Sequence, residues 1–250
     1  MTSQSTSMQY KLCVEYDGTN YFGWQKQKNQ ITVQETIENA LSLLLKERVK
    51  ILGAGRTDTG VHAINQYCTF RTEKNLPDSA FIFGLNHLLP RDIRIKRVER
   101  VPDNFHVILS AKKKTYIYKI LNRFEPTALE RNRCWHIYGE LNLDAMNETA
   151  NYIIGRKDFR SFRSSLCSRL TTVRTVYESF WEREGDYLIY NITADGFLHN
   201  MVRILVGTMV DVGMGKIKPI DFYKILESGD RKRAGKTAPP QGLYLYDVFY

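Results

Sequence analysis

The stretch Met8-Gln-Tyr-Lys-Leu-Cys-Val-Glu-Tyr-Asp17 decides how the fold is read. Leu12, Val14 and Tyr16 recur at period two, so one face of a strand is apolar, and Asp17-Gly18 ends it. Downstream, Thr32 and Glu35 have the spacing of a capping box, and Val33, Ile37, Leu41 and Leu44 then form a helical stripe. Working outward, residues 49–56 and 61–71 read as strands around a Gly-rich break, 78–89 as a second helix and 92–101 as a closing strand. The second half repeats this rhythm. Strands are predicted at 112–122, 173–182, 186–194 and 243–250, helices at 143–154 and 199–213, and a turn at Glu184-Gly185.

Each half is β-α-β-α-β in outline, which predicts an α+β sandwich with sheet on one side and helices on the other. The pattern is ferredoxin-like (RRM-like), with the two halves paired about a pseudo-two-fold axis and their sheets joined around a central active-site cleft. The halves are assigned to residues 1–104 and 105–250. The segment Arg231 to Gln241 is polar and Pro-rich and reads as an irregular loop.

The chain has 250 residues, 43% of them hydrophobic and 25% charged, values of an ordinary globular protein that exclude disorder, collagen and coiled coil. Met1 to Ser7 are polar and lack a signal-peptide core. The longest apolar run, Met201 to Met214, is too short to span a bilayer and carries Arg203 and Asp211. Cys13, Cys68, Cys134 and Cys167 form no C-x-x-C pair and no zinc-ligand spacing, so reduced thiols and a cytoplasmic location are expected. The net charge of +9 calls for a polyanionic partner.

Three segments carry candidate chemistry. Gly53-Ala-Gly-Arg-Thr-Asp-Thr-Gly60 lacks the Gly-Lys-Ser/Thr of a phosphate loop, and a carboxylate at Asp58 would repel pyrophosphate. What remains is a tight loop presenting Arg56 and Asp58. The helix around Arg203 is apolar nearly all round, so its guanidinium needs an anion or solvent. Asp58 and Asp195 are the candidate partners. In Lys112-Lys-Lys-Thr-Tyr-Ile-Tyr118, Lys112, Lys114, Tyr116 and Tyr118 alternate onto one strand face, a cationic stripe running into aromatic rings that suits phosphates and unpaired bases. Arg160, Arg163, Arg231, Lys232 and Arg233 extend the basic character.

In this setting the chain resembles the TruA-type tRNA pseudouridine synthases. The resemblance is carried by Tyr16-Asp-Gly-Thr-Asn-Tyr-Phe-Gly-Trp-Gln25, Gly55-Arg-Thr-Asp-Thr-Gly-Val-His-Ala63, Lys114-Thr-Tyr-Ile-Tyr118, Asp158-Phe159, Gly196-Phe-Leu-His-Asn-Met-Val-Arg203 and Thr237-Ala-Pro-Pro-Gln-Gly-Leu243. It implies isomerisation of uridine to pseudouridine in the tRNA anticodon arm, typically at nucleotides 38, 39 and 40, by a homodimer without cofactor or metal. It implies Asp58 as the catalytic carboxylate, Tyr116 stacked on the target base, Arg203 paired with the aspartate and Arg56 on the flipped nucleotide. Lys112, Lys114, His199, Asn200, Arg160 and Arg163 become expected RNA contacts. The chain departs from the family where His106-Val107-Ile108 stands for the usual His-Ala-Arg, in Asp58-Thr-Gly for Asp-Ala-Gly, and in Lys157 before Asp158-Phe159, where His is commoner. Asp58, Tyr116 and Arg203 are all retained.

The chemistry agrees with the residues. A C–N glycosidic bond breaks, the uracil rotates and a C–C bond forms at C5, without net oxidation or hydrolysis. A carboxylate attacking the sugar, attacking the base or assisting elimination would each fit, and the target uridine must leave its stack. A non-catalytic RNA-binding module on the same scaffold would use the same basic stripe and tyrosines, but would gain nothing from Asp58. A small-molecule nucleotide enzyme is disfavoured by the charge and by the missing phosphate loop.

Overall fold

The computed structural model describes residues 7–164 and 171–250. The chain forms two compact units, Met1–Lys112 with Leu245–Tyr250, and Lys113–Tyr244. The sequence division at 104/105 differs from this in two ways: the first unit runs further, and it also takes the chain's last six residues. Both units mix strands and helices, as the α+β reading expects.

In the first unit, β1 (Met8–Tyr16) lies between β4 (Ile93–Val101) and β3 (His62–Thr72), antiparallel to both, and β2 (Leu52–Gly53) pairs with β3. The expected strand 49–56 shrinks to these two β2 residues, because the chain peels away into the Gly-rich loop. Helix α1 (Val33–Leu45) starts where the Thr32 side chain accepts from the Glu35 N–H at 3.4 Å. The Glu35 carboxylate itself turns to Lys26 Nζ, 2.8 Å away.

Helix α1 buries Val33, Ile37, Ala40, Leu41 and Leu45. Leu44 is only half-buried, and it lies where a Cβ on Gly84 of α2 (Asp78–Leu88) would meet it. Tyr10, Phe70 and Phe81 cluster between strands and α2 with centroids 4.9–5.6 Å apart, Tyr10 stacked on Phe70 and Phe81 edge-on to Phe70. Each such buried side chain contributes about 1.5–3 kcal/mol. The Asn86 amide clamps α2 to β4, donating to Ile95 O at 2.9 Å and accepting from Ile95 N at 2.8 Å.

In the second unit, β5 (Lys113–Asn122), β9 (Tyr187–Ala194), β8 (Val173–Glu184) and β7 (Gly155–Asp158) form an antiparallel array in that order, with β6 (Trp135–Ile137) parallel to β5. The turn expected at Glu184-Gly185 is a two-residue hairpin loop with Gly185 at φ +59°, which glycine adopts without strain. Helices α3 (Leu143–Tyr152), α4 (Met201–Gly213) and α5 (Pro219–Ser228) pack together, and α3 lies on β8.

Every residue of α4 is buried except Arg203 and Asp211, as its nearly unbroken apolar surface requires. Trp181 of β8 reaches α4, its indole N–H 3.3 Å from Met209 Sδ. The sequence reading missed β6, β7 and α5. The last, with Pro219 at its first position, Phe222, Ile225 and Leu226 inward and Gly229 at φ +64°, carries ordinary helix signals. The expected loop 231–241 contains two short 3-10 turns, Arg231–Arg233 and Pro240–Gly242. The last strand is β10 (Leu243–Phe249).

Among the described residues no helix is long and apolar enough to cross a membrane. Cys13, Cys68 and Cys134 are free and buried. Burial pushes the Cys68 and Cys134 thiols up. Cys167 lies outside the described residues.

Candidate active site

In the first unit Asp58 sits half-buried on the loop between β2 and β3, with exposed Arg56 two residues before it. The loop is held from behind. Trp24 N donates to Thr57 O at 3.0 Å, Gly60 N to Tyr21 O at 3.4 Å, and Val61 N closes a turn on Asp58 O at 3.1 Å. Gly23 has φ +80°, and a Cβ there would lie 2.5 Å from Thr57 O. On Gly18 it would lie 2.0 Å from Val61 O, and on Gly53 2.4 Å from the Trp24 indole nitrogen. The two N-terminal motifs are thus one packed object: residues 16–25 form the bed of the 53–60 loop. Glycines stand where the two backbones touch.

In the second unit the segment joining β9 to α4 carries the other candidates. Phe197 meets the Tyr116 ring edge-on, centroids 5.0 Å apart, and so fixes its tilt. His199 O accepts from Ser164 N at 3.0 Å, which holds the chain beside Arg163. Asn200 has φ +61°, an uncommon conformation for a non-glycine residue. Although it stands at the N-cap of α4, its side chain makes no cap bond. Its Oδ1 instead accepts from Arg203 Nη1 at 3.0 Å, and Arg203 Nε donates to Ala238 O at 2.8 Å. The exposed Asp195, just after β9, accepts at its side-chain Oδ1 from Thr175 N of β8 at 3.0 Å.

One sequence expectation is corrected here. Tyr118, read with Lys112, Lys114 and Tyr116 as one strand face suited to phosphates and bases, is fully buried. It packs edge-on against Trp135 at 6.3 Å and donates its hydroxyl to Pro239 O at 2.7 Å. Burial raises its pKa well above the usual tyrosine value. Lys114, Tyr116 and Tyr118 lie opposite Ala194, Ile192 and Tyr190 of β9, and Tyr190 stacks on Trp181, whose indole reaches α4. The face they share is therefore the helix-covered one, and Tyr116 is half-buried on it. Lys112 is exposed just before β5, its N–H on Phe249 O at 2.8 Å.

Of the other expected RNA contacts, exposed Arg160 is paired with Asp158, Nη2 to Oδ2 2.9 Å, and Arg163 is half-buried on the adjoining turn. At the departure from the family pattern, Ile108 is 38% exposed and Val107 is buried. His106 Nδ1 accepts from the N–H groups of Ile108 and Leu109 at 3.2 and 3.3 Å. Among the described residues no group of three His, Cys, Asp or Glu side chains is disposed to hold a metal ion.

The sequence pattern of a family described as tRNA pseudouridine synthase matches residues 12–109 and 149–250. The chain belongs to this family. It is 49% identical over 239 residues to the "tRNA pseudouridine synthase A" of Thermoanaerobacter sp. (strain X514), covering 96% of this chain and 98% of that one. It is 49% identical over 240 residues to the protein of that name from Acetivibrio thermocellus, with the same coverage. It is 46% identical over 242 residues to that of Geotalea uraniireducens, covering 97% and 99%. The family match takes in Asp58, Arg56, Arg203, Asn200 and Arg160, and also the bracing residues Tyr16, Thr57, Gln66, Phe197 and Ala238, which the sequence reading assigned no role. Gly207 was the legible hint of the last. A glycine inside an otherwise bulky apolar helix signals a close approach, here of Lys236 O, 1.8 Å from where a Cβ would stand.

Proposed function

We propose that this protein is a tRNA-uridine isomerase that converts uridine to pseudouridine in the anticodon arm, at nucleotides 38 to 40, with Asp58 as its catalytic carboxylate. Membership of the tRNA pseudouridine synthase family supports the reaction. The observation that carries the residue assignment is the brace around Asp58: a half-exposed carboxylate on a loop whose backbone is fixed from behind by Tyr21, Trp24 and Gly23. Such rigidity places an anionic oxygen in one position before substrate arrives, which is how a charged group lowers a barrier without reorganising.

The target uridine leaves its stack, and the Tyr116 ring, set by Phe197, packs on the uracil. The C1′–N1 bond breaks with Asp58 supplying negative charge, the uracil turns, C1′–C5 forms, and the C5 proton is lost as N1 gains one. Arg203 pairs with the aspartate and orients it. Arg56 contacts the flipped nucleotide. Lys112, Lys114, Arg160, Arg163, His199 and Asn200 follow the RNA backbone. We read the two units as ferredoxin-like halves, the working form as a cytoplasmic homodimer, and the reaction as independent of metal or cofactor. The net charge of +9 suits the polyanionic substrate, and the free buried cysteines suit a reducing compartment.

The test is tritium release from tRNA transcripts labelled at uridine C5, without added metal or cofactor, followed by mapping of the modified nucleotides. Release confined to nucleotides 38 to 40, abolished in Asp58→Asn while tRNA binding stays within a few-fold, is the expected result. Tight binding of several tRNAs with no release from any would establish the non-catalytic RNA-binding alternative instead.

A further inference from the structure

Strand β1 ends in a tyrosine whose polar head has no place in an apolar core unless something receives it. Tyr16 is 3% exposed, yet its hydroxyl lies 2.7 Å from Thr57 Oγ1, on the residue immediately before Asp58. Thr57 is itself buried. The fully buried Gln66 of β3 completes the group. Its Nε2 donates to Gly55 O at 3.1 Å and its Oε1 accepts from Tyr67 N at 3.1 Å, so it holds the same loop two residues earlier.

The strand register explains how these groups meet. Val14 pairs with Gln66 but Tyr16 pairs with Ala63, so two residues of β1 span three of β3. An irregularity of this kind re-aims side chains at the end of a strand pair, a device found beside active sites.

We infer that Tyr16 and Gln66 are positioning residues for the reaction, a buried hydrogen-bonded brace that holds Gly55 and Thr57 and through them sets the direction of the Asp58 carboxylate. The inference rests on the reading of Asp58 as the catalytic group. A Phe at position 16 would fill the same apolar site, so a hydroxyl there points to a requirement of the loop rather than of the core. The desolvated phenol has its pKa pushed far up, so it remains protonated across the working pH range and serves as a hydrogen-bonding strut, not as an acid or base.

The experiment compares Tyr16→Phe, Thr57→Val, Thr57→Ser and the double variant Tyr16→Phe/Thr57→Val in single-turnover tritium release at saturating enzyme, with tRNA affinity and Tm measured in parallel. The expected single-turnover rate falls about 10- to 100-fold in Tyr16→Phe and in Thr57→Val, as for a misplaced reacting group, with tRNA Kd within about twofold. Thr57→Ser, which keeps the hydroxyl, retains most of the rate. The double variant is no slower than the slower single, because both remove one bond. A parental rate in Tyr16→Phe, or a rate loss that only follows the loss of folded protein or of bound tRNA, overturns the brace. Asp58→Asn is run beside them. If it retains activity, the assignment of Asp58 fails instead, and the brace has no catalytic group to hold.

Discussion

Arg203 and Ala238 are tied together twice: Arg203 Nε donates to Ala238 O at 2.8 Å, and Ala238 N donates to Arg203 O at 2.9 Å. The segment 235–239 therefore lies as a strap along α4. Gly235 N donates to Thr208 Oγ1 at 3.0 Å, and Pro239 O takes the buried Tyr118 hydroxyl. A polar, proline-containing stretch that looked like loose loop is thus the wall against which the guanidinium is set.

Gly207 makes the strap possible, so Gly207→Ala tests it. The new Cβ would stand 1.8 Å from Lys236 O and force the strap off the helix. Overpacking of this kind costs about 1–3 kcal/mol, a fall in Tm of about 3–10 °C for a chain of this size. Arg203 also loses its acceptor at Ala238, so the single-turnover rate should fall further than tRNA affinity does. Gly139→Ala is the control, because a Cβ there meets nothing within 4 Å. Equal behaviour of the two variants in thermal melts would remove the strap from the argument.

Arg203→Lys keeps the charge and loses the geometry. The guanidinium donates sideways to Ala238 O and along the chain to Asn200 Oδ1, and the two bonds fix its plane. An ammonium cannot reproduce that fork. The expected outcome is a rate loss of about 10- to 100-fold with tRNA Kd changed by less than threefold, measured in single turnover. Activity within twofold of the parent would mean that charge alone suffices at this position.

Arg160 and Arg163 flank one short turn but should differ in binding. Arg160 already spends one nitrogen on Asp158, whereas the neighbouring backbone of Arg163 is fixed by the Ser164–His199 bond. Arg163→Ala is expected to weaken tRNA binding and to reduce the slope of log K against log salt by about 1, with no change in single-turnover rate. Arg160→Ala should lower the slope less. Identical slopes for the parent and Arg163→Ala would take that residue off the phosphate path.

The periodic elements were legible, and the reasons are visible in the packing. Leu12, Val14 and Tyr16 did share a buried face, Thr32 did cap α1, and α4 is as buried as its composition demands. The missed strands share a cause: they are short elements held by neighbours rather than by their own pattern, whereas the missed α5 carried its own helix signals. β6 has three residues and β7 four, and each exists through the strand beside it. Tyr118 was misplaced because period two names a face without saying which face is covered. Asp58 and Arg203 stood out as charges in unexpected company. The groups that hold them, Tyr16, Gln66 and Ala238, look like ordinary core or loop in one dimension and acquire meaning only through contacts 11 to 41 residues away in sequence.

The carboxylate of Asp158, at the end of β7, gives a pH prediction with a definite sign. Partial burial pushes its pKa up, but the Thr172 hydroxyl at 2.5 Å, the Arg160 N–H at 3.0 Å and the Arg160 guanidinium at 2.9 Å outweigh that and hold it below the usual value. A carboxyl with a depressed folded pKa stabilises the fold fully above its unfolded value, about 3.9, and loses that contribution as pH falls through the folded value. Asp158→Asn should therefore lower Tm by a constant amount from pH 8 to about pH 5. The gap to the parent should close below about pH 4, as the parent's own carboxylate protonates. Thermal melts of both proteins across this range decide the matter. A gap that persists unchanged to pH 2 would show that Asp158 acts through shape and neutral hydrogen bonds. A gap that closes ties the end of β7, and the Arg160–Arg163 turn that follows it, to an ionised Asp158.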